Sequence, residues 1–305
     1  MYRIAHLTDP HVGPLPRPKL RHLLSKRITG YVNWRRSRSE LHDMELLAEL
    51  IADMKAQAPD HIVCTGDTCN IGLPSEWESS REFMEKLGAP DFATFVPGNH
   101  DAYVPGSLEG LLGEVGAWAS GDGGAQTFPF VRRRGAIAFV GLSSAIPTLP
   151  FVATGRVGSR QSKEAEAILT DLGRDPGCFR IVLIHHPPHR GGAESGRELT
   201  DARRFEGMIA RTGAELVLHG HNHVGSVAFL PGPRGRVPVI GAPSASARGG
   251  ALVHKAGYHL FTIGQDATGF FLTAQLRGLR PDGTVGDCGM LTLNRPDPVA
   301  EVLKS

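Results

Sequence analysis

The sequence predicts a mixed α/β fold in which two sheets pack together with helices outside them. Three observations carry this reading. Short apolar runs alternate with helix-like windows as far as Gly220, strands separated by Gly/Pro turns follow from there on, and His, Asp and Asn cluster at the ends of the apolar runs. Residues Arg3–Thr8, His61–Thr65, Phe92–Val96, Ala136–Leu142, Arg180–His185 and Glu215–His219 read as buried strands. Between them, Glu40–Gln57 carries Leu41, Met44, Leu47, Ala48, Ile51 and Met54 at helical spacing. A second helix is expected over Ser75–Leu87, opened by Ser75-x-x-Glu78 as a capping box and stopped at Gly88. Gln161–Leu172 and Leu199–Thr212 are weaker helical windows, and Gly113–Gly124 reads as a loop or insert. Beyond Gly220, strands are expected at Val237–Ile240, Gly257–Ile263, Gly269–Gln275 and Gly289–Leu293.

A chain of 305 residues is long enough to bury a substantial core. With 41% hydrophobic and 21% charged residues, it is neither disordered nor fibrous in composition. No apolar run approaches the roughly 20 residues that span a bilayer. The opening MYRIAHLTDPH reads as a strand and not as a signal peptide, so a cytoplasmic protein is expected. Cys64, Cys69, Cys178 and Cys288 show no CxxC spacing and read as free thiols. With no internal repeat and no linker-like stretch, residues 1–305 are read as one domain. It has a basic amphipathic insert at 14–38 and a β-rich C-terminal part from 225.

The side chains that carry chemistry fall at the strand ends. Asp9-Pro10-His11 follows the first strand, Gly66-Asp67 the second and Gly98-Asn99-His100-Asp101 the third. His185-His186-Pro187 ends the fifth, and Gly220-His221-Asn222-His223 follows the sixth. Ligands converge at strand ends in α/β folds. Imidazole, carboxylate and amide oxygen together suit first-row divalent metals, and the lack of thiolates in the set argues against a structural zinc site.

In that order, Asp-x-His, Gly-Asp, Gly-Asn-His-Asp, His and Gly-His-x-His resemble the calcineurin-like binuclear metallophosphoesterases. The closest likeness is to the class III cyclic-nucleotide phosphodiesterase and glycerophosphodiesterase branch. The likeness runs from Arg3 to about Ile263 and includes Gly257–Phe261. It implies a four-layer α/β/β/α sandwich and two divalent ions, Mn or Fe first, Zn or Co as alternatives. One metal would be held by Asp9, His11, Asp67 and His223. The other would be held by Asp67, Asn99, His185 and His221, with Asp67 bridging and His185 chosen over His186 by its place two residues before the proline. The chemistry implied is in-line attack on a phosphodiester or pyrophosphate by a metal-bridging hydroxide. His100 is implied as the catalytic group that stabilises developing charge or protonates the leaving alkoxide, and Asp101 as its orienting partner. His186, His189 and His219 stand beside the site, while His6, His22, His42, His61, His254 and His259 read as ordinary histidines. Thr68-Cys69-Asn70 departs from the commonest pattern and places Cys69 near the metals, where it is expected to be oxidation-prone. Val104–Thr127 and Gly191–Arg197 are expected to shape the leaving-group pocket.

A larger departure is the basic stretch. Between Arg17 and Arg38 stand eight Lys or Arg and no Asp or Glu; with a whole-chain charge of +2, the remainder carries −6. Leu20, Leu23, Leu24, Ile28, Tyr31, Val32 and Trp34 fall within about half a helical wheel, although Gly30 costs a helix roughly 1 kcal/mol. Three readings stay open. Residues 17–38 lie on an anionic membrane at the inner face, with Tyr31 and Trp34 at headgroup level; or their cations hold substrate phosphate; or they form a solvated cap. The membrane reading brings with it a lipid-linked substrate in place of a small diester. A nuclease role is set aside, since the rest of the chain is acidic and no nucleic-acid motif appears. A non-catalytic metal-binding scaffold is set aside because every expected ligand position is filled.

Overall fold

The computed structural model describes residues 1–249, 255–267 and 269–293. Strands β1 (Tyr2–Leu7), β2 (His61–Cys64) and β3 (Ala93–Phe95) run parallel in the first sheet. The second sheet contains β4 (Phe130–Arg134), β5 (Ile137–Gly141), β6 (Phe179–Leu183), β7 (Leu216–His219), β8 (Ser226–Gly232) and β9 (Gly235–Gly241). Its order is β4-β5-β6-β7-β9-β8, parallel from β5 through β9 with antiparallel edges. Strands β10 (Gly257–Asp266), β11 (Gly269–Leu279) and β12 (Val285–Thr292) extend the first sheet as an antiparallel meander, with β10 paired antiparallel to β1.

Alternation along the strands builds the layers. On β1, Ile4 faces the second sheet while Ala5 and Leu7 face helices. Ile4, Val63, Phe139, Ile181, Leu218 and Phe261 fill the space between the sheets. Helices α3 (Met44–Ala56), α4 (Pro74–Leu87) and α5 (Ser107–Val115) cover the first sheet. Helices α6 (Ser159–Leu172) and α7 (Ala202–Thr212) cover the second. The result is the expected four-layer α/β/β/α sandwich.

Several local expectations are corrected. The helix expected from Glu40 starts at Met44, because Asp43 caps it: its Oδ1 accepts from Glu45 N at 2.8 Å and Leu46 N at 3.0 Å. Only a short turn, α2 (Ser39–Leu41), precedes it. Helix α4 opens at Pro74, whose ring presets the first turn, and Glu76 rather than Glu78 reaches back, its Oε2 accepting from Leu73 N at 2.8 Å. The loop expected from Gly113 begins later, after α5; Gly110 lets that helix close onto Trp77, whose ring a Cβ would overlap. Strand β4 escaped detection because its sequence, FVRRR, reads as charged, yet Arg132 is buried and donates to Ser120 O and Ala93 O. Strand β8 was hidden by Pro231 and Gly232, which an edge strand tolerates.

The basic stretch is not one helix. Leu20–Leu23 forms a 3-10 turn, α1 spans Arg27–Asn33, and Trp34–Arg38 is π-helical. These breaks divide its apolar residues. Tyr31 and Trp34 turn inward onto Leu15, Ile71, Leu73 and Tyr103, so they do not occupy the expected headgroup level. Leu20, Leu24, Ile28 and Val32 face outward. Gly30 is required where α1 crosses Tyr103 and Ile71, since a Cβ would overlap both.

One ion pair ties the helical layer to the sheet below it. Arg277 Nη2 and Nε donate to Asp53 at 2.7 and 2.8 Å, and Tyr258 Oη donates at 2.7 Å. The bond from Arg277 holds the Asp53 carboxyl below its ordinary range; burial opposes this and Tyr258 reinforces it. A depressed folded pKa contributes stability above the unfolded value near 4, lost as pH falls through the folded value. Asp53→Asn is therefore expected to lower unfolding stability by about 1–3 kcal/mol at neutral pH. Urea titrations of both proteins check this: the gap should close on acidification below pH ~4, and a gap independent of pH would place the loss elsewhere.

Candidate metal centre

All five motif clusters lie on one edge of the molecule, on loops leaving β1, β2, β3, β6 and β7. The loops are held at unusually short range. A Cβ at Gly98 would overlap Asp67 Oδ1 and the His185 ring, and one at Gly220 would overlap Thr8 Oγ1 and Asp9 Oδ2. Glycine there lets the two sheets' loops interlock. Asp9, His11, Asp67, His221 and His223 all adopt the left-handed backbone, with φ of 50, 40, 57, 71 and 57°. Such φ values are costly for non-glycine residues and persist where the surroundings impose them.

The donor atoms form two groups meeting at Asp67. In the first, His223 Nε2 lies 3.2 Å from Asp9 Oδ1 and 3.3 Å from His11 Nε2, and His11 Nε2 lies 4.0 Å from Asp67 Oδ2. In the second, His185 Nε2 lies 3.4 Å from Asp67 Oδ2 and 3.2 Å from Asn99 Oδ1, which is 2.8 Å from His221 Nδ1. Neighbouring ligands around an ion with bonds of about 2.0–2.2 Å stand roughly 3 Å apart, so most of this spacing fits. Tautomers agree. His11 Nδ1 and His185 Nδ1 face the carbonyls of Cys69 at 3.1 Å and Thr65 at 2.7 Å. A carbonyl only accepts, so these nitrogens carry the protons and each Nε2 presents a lone pair. Asp9 Oδ1 and His221 Nε2 are buried without a hydrogen-bond partner. A buried cluster of lone pairs facing lone pairs fits divalent cations.

Electrostatics follow from the same packing. Burial raises the Asp9 and Asp67 carboxyls, but the imidazoles beside them, His223 and His185 for Asp9 and His185 and His100 for Asp67, outweigh it and bring both below the ordinary range. Burial lowers His185, and Asp67 and Asp9 lift it to about 9. A proton and a metal ion therefore compete for the His185 lone pair. His186 turns away: its Nδ1 pairs with Ser144 Oγ at 2.7 Å and its Nε2 faces Ala153 O at 3.1 Å.

Asp101 does not orient His100, as the sequence had implied. Its carboxylate accepts from Asp67 N and Gly98 N at 2.8 Å and from Cys69 N and Thr68 Oγ1 at 3.0 Å, pinning two ligand loops together. His100 instead donates from Nδ1 to Asn70 O at 2.5 Å, and Arg38 Nη1 lies against its ring, 3.1 Å from Nε2 and 3.4 Å from Nδ1. Burial, then the charge of Arg38, pushes His100 down to about 3, so the ring is neutral at neutral pH. Cys69 is not oxidation-prone. Its thiol is buried in the core beside Ser80, and burial raises it well above the ordinary range, which suppresses the reactive thiolate.

Two residues beside the site were not singled out in the sequence. Arg38, one of the eight cations of the basic stretch, reaches the site. His42, read as an ordinary histidine, lies tilted against the His11 ring with centroids 4.6 Å apart and groups with His11 and His223. Neither follows a strand, so the strand-end pattern could not flag them. His6 and His61 bond Thr65 and Thr94 hydroxyls between the sheets, and His254 lies outside the described residues.

Over the metal cluster opens a cavity of about 640 Å³, with Asn99 and His100 at its base. The insert forms one wall, through Lys26, Ile28, Val32, Arg36 and Arg38, and the facing loop contributes Phe151 and Val152. Of the segments expected to shape this pocket, Arg197 lines it; Val104–Thr127 does not, because α5 packs against α4.

Comparison with known proteins agrees with this geometry. The calcineurin-like phosphoesterase family model matches residues 2–225. A probable cyclic nucleotide phosphodiesterase of Synechococcus sp. is 27% identical over 65% of this chain and 70% of its own length. The glycerophosphodiester phosphodiesterase GpdQ of Enterobacter lignolyticus is 27% identical over 60% of this chain and 65% of its own. A purple acid phosphatase from yellow lupin (Lupinus luteus) shares the fold, with a TM-score of 0.54 at 14% identity over 96% of this chain. This chain spans about half of the lupin protein, 54%. Five ordered motifs, their convergence on one carboxylate and a family match over most of the sequence place this chain in the calcineurin-like phosphoesterase family of metal-dependent phosphoester hydrolases.

Proposed function

We propose that the chain is a phosphodiesterase that hydrolyses a phosphodiester or pyrophosphate with two divalent ions, a single domain in which Asp67 is shared between them. The observation that carries this is the convergence of His11 Nε2, His185 Nε2 and the Asp9 and Asp67 carboxylates in one buried cluster. Asp9, His11, Asp67 and His223 would hold one ion; Asp67, Asn99, His185 and His221 would hold the other. Imidazole, carboxylate and amide donors suit Mn or Fe first, with Zn or Co as alternatives. When bound, such ions activate a water nucleophile and neutralise phosphoryl oxygens. The names of the two similar proteins, a cyclic nucleotide and a glycerophosphodiester phosphodiesterase, support a phosphodiester.

The chain's own residues supply the rest. Arg38 brings a guanidinium to the cavity, where it packs against the His100 ring with N–H groups left for a phosphoryl oxygen. This supports the reading in which the basic insert holds substrate phosphate. It also favours charge stabilisation over proton donation for His100, because its Nδ1 proton is committed to Asn70 O and the ring is neutral. Asp101 fixes the loops that carry Asp67 and Asn99.

Asp67→Ala is expected to lose at least one metal ion per chain by elemental analysis and to lose hydrolysis of bis(p-nitrophenyl) phosphate. Two ions retained would remove Asp67 from the bridging position. His100→Ala and Arg38→Ala are each expected to keep both ions and lose about 10²–10³-fold in kcat. The losses should match on good and poor leaving groups and fail to add in the double variant. A His100→Ala loss confined to poor leaving groups would restore the proton-donor role.

A further inference from the structure

We infer that the lip of the active-site cavity docks on an anionic membrane surface and holds the site over phospholipid headgroups. Docking stands on the surface itself; its consequence for catalysis rests on the phosphodiesterase reading above.

The lip has two sides. One is the outward row Leu20, Leu24, Ile28 and Val32, and the other is Leu149 and Phe151 on the facing loop. Leu20, Leu24, Leu149 and Phe151 are 85, 88, 76 and 92% exposed, an unusual concentration of large apolar side chains in water. Lys26 clasps the two sides, donating to Thr148 Oγ1 at 2.6 Å and Val152 O at 3.0 Å, so they form one rim. Ile28, Val32 and Phe151 belong to both the rim and the cavity wall, which connects the apolar surface to Asn99 and His100 below. Phe151 is held in the left-handed region at φ 65°. A bulky residue kept in that conformation and pointed into solvent marks a position that internal packing does not explain.

Charge selects the occupant. Lys26, Arg27 and Arg38 are turned inward onto protein partners. Arg17, Lys19, Arg21 and Arg35 are exposed outside the cavity, Arg36 is exposed in its wall, and none of these forms a salt bridge among the described residues. Four outward cations interleaved with aliphatic side chains match an anionic bilayer, which offers phosphate outside and hydrocarbon beneath. A nucleic acid would answer the cations and leave the leucines in water. A second copy meeting this patch across a two-fold axis would set cation against cation. Among the described residues no helix is long and apolar enough to cross a membrane, so the contact inferred is peripheral.

The full chain is sedimented with vesicles of phosphatidylcholine and phosphatidylglycerol, and with phosphatidylcholine alone, at low and high salt. Binding to the anionic vesicles alone, weakening with salt, is the expected result. Leu24→Glu combined with Leu149→Glu should weaken it at least about tenfold, with metal-dependent hydrolysis of soluble bis(p-nitrophenyl) phosphate unchanged. Absence of binding, or equal binding by the double variant, overturns the inference. So does a wild-type dimer that the variant converts to monomer in sedimentation velocity without any vesicle binding, which would make a second copy the occupant. Loss of soluble-substrate hydrolysis in the wild type would instead count against the phosphodiesterase reading and leave the vesicle result standing.

Discussion

Two carboxylates buried at the seam between the sheets, Asp9 and Asp67, impose the constraint to which the rest of the site answers. Removing an ionised carboxylate from water costs several kcal/mol unless opposite charge and hydrogen bonds replace the water. Here part of the replacement is internal. Asp67 Oδ1 accepts from His100 N at 2.7 Å, and Asp9 Oδ2 accepts from His221 N at 2.9 Å and Thr8 Oγ1 at 2.7 Å. Each of those bonds uses one oxygen of a carboxylate. The second oxygens, Asp9 Oδ1 and Asp67 Oδ2, face imidazole nitrogens whose other ring atoms are committed to carbonyls or whose orientation brings lone pairs together. A cation at each group satisfies both sides at once, which is why the same packing that strains the backbone also defines a binding site.

The third buried acid shows how the protein separates holding from reacting. Asp101 lies a residue from His100, yet its four bonds are all to the loops that carry ligands. Burial and the neighbouring Asp67 charge push its carboxyl up to about 6, so it is ionised near neutrality by virtue of those four donors. The insert does the same at larger scale. Arg27 donates to Ile71 O and Gly72 O and fastens α1 to the loop beyond Asp67. That attachment positions Arg38, which lies one short π-helical segment further on, against His100.

The fold was legible because its strands are short, apolar and buried on both faces, and the candidate site because each of its motif clusters follows such a strand. Legibility failed where a charged residue is structural. Arg132 made β4 look like surface, and the eight cations of the insert looked equivalent although three turn inward to three different tasks. Sequence periodicity could not separate them, since a wheel drawn through Leu20–Trp34 assumes one uninterrupted helix. The 3-10 turn and the π-helical segment rotate Tyr31 and Trp34 inward and leave Leu20 and Leu24 outside. Asp101 was misassigned for a related reason: adjacency in sequence to His100 says nothing about direction when the chain turns sharply between them.

The division of the insert's cations also explains why one segment can serve two environments. Cations that served both phosphate in the cavity and phosphate at a surface would compete with themselves. In this structure the inward three are committed to Thr148, Val152, Ile71, Gly72 and the His100 ring, while Arg17, Lys19, Arg21 and Arg35 are exposed outside the cavity. A surface engaged by the exposed cations therefore leaves Lys26 and Arg38 facing the cavity that Asn99 and His100 also line.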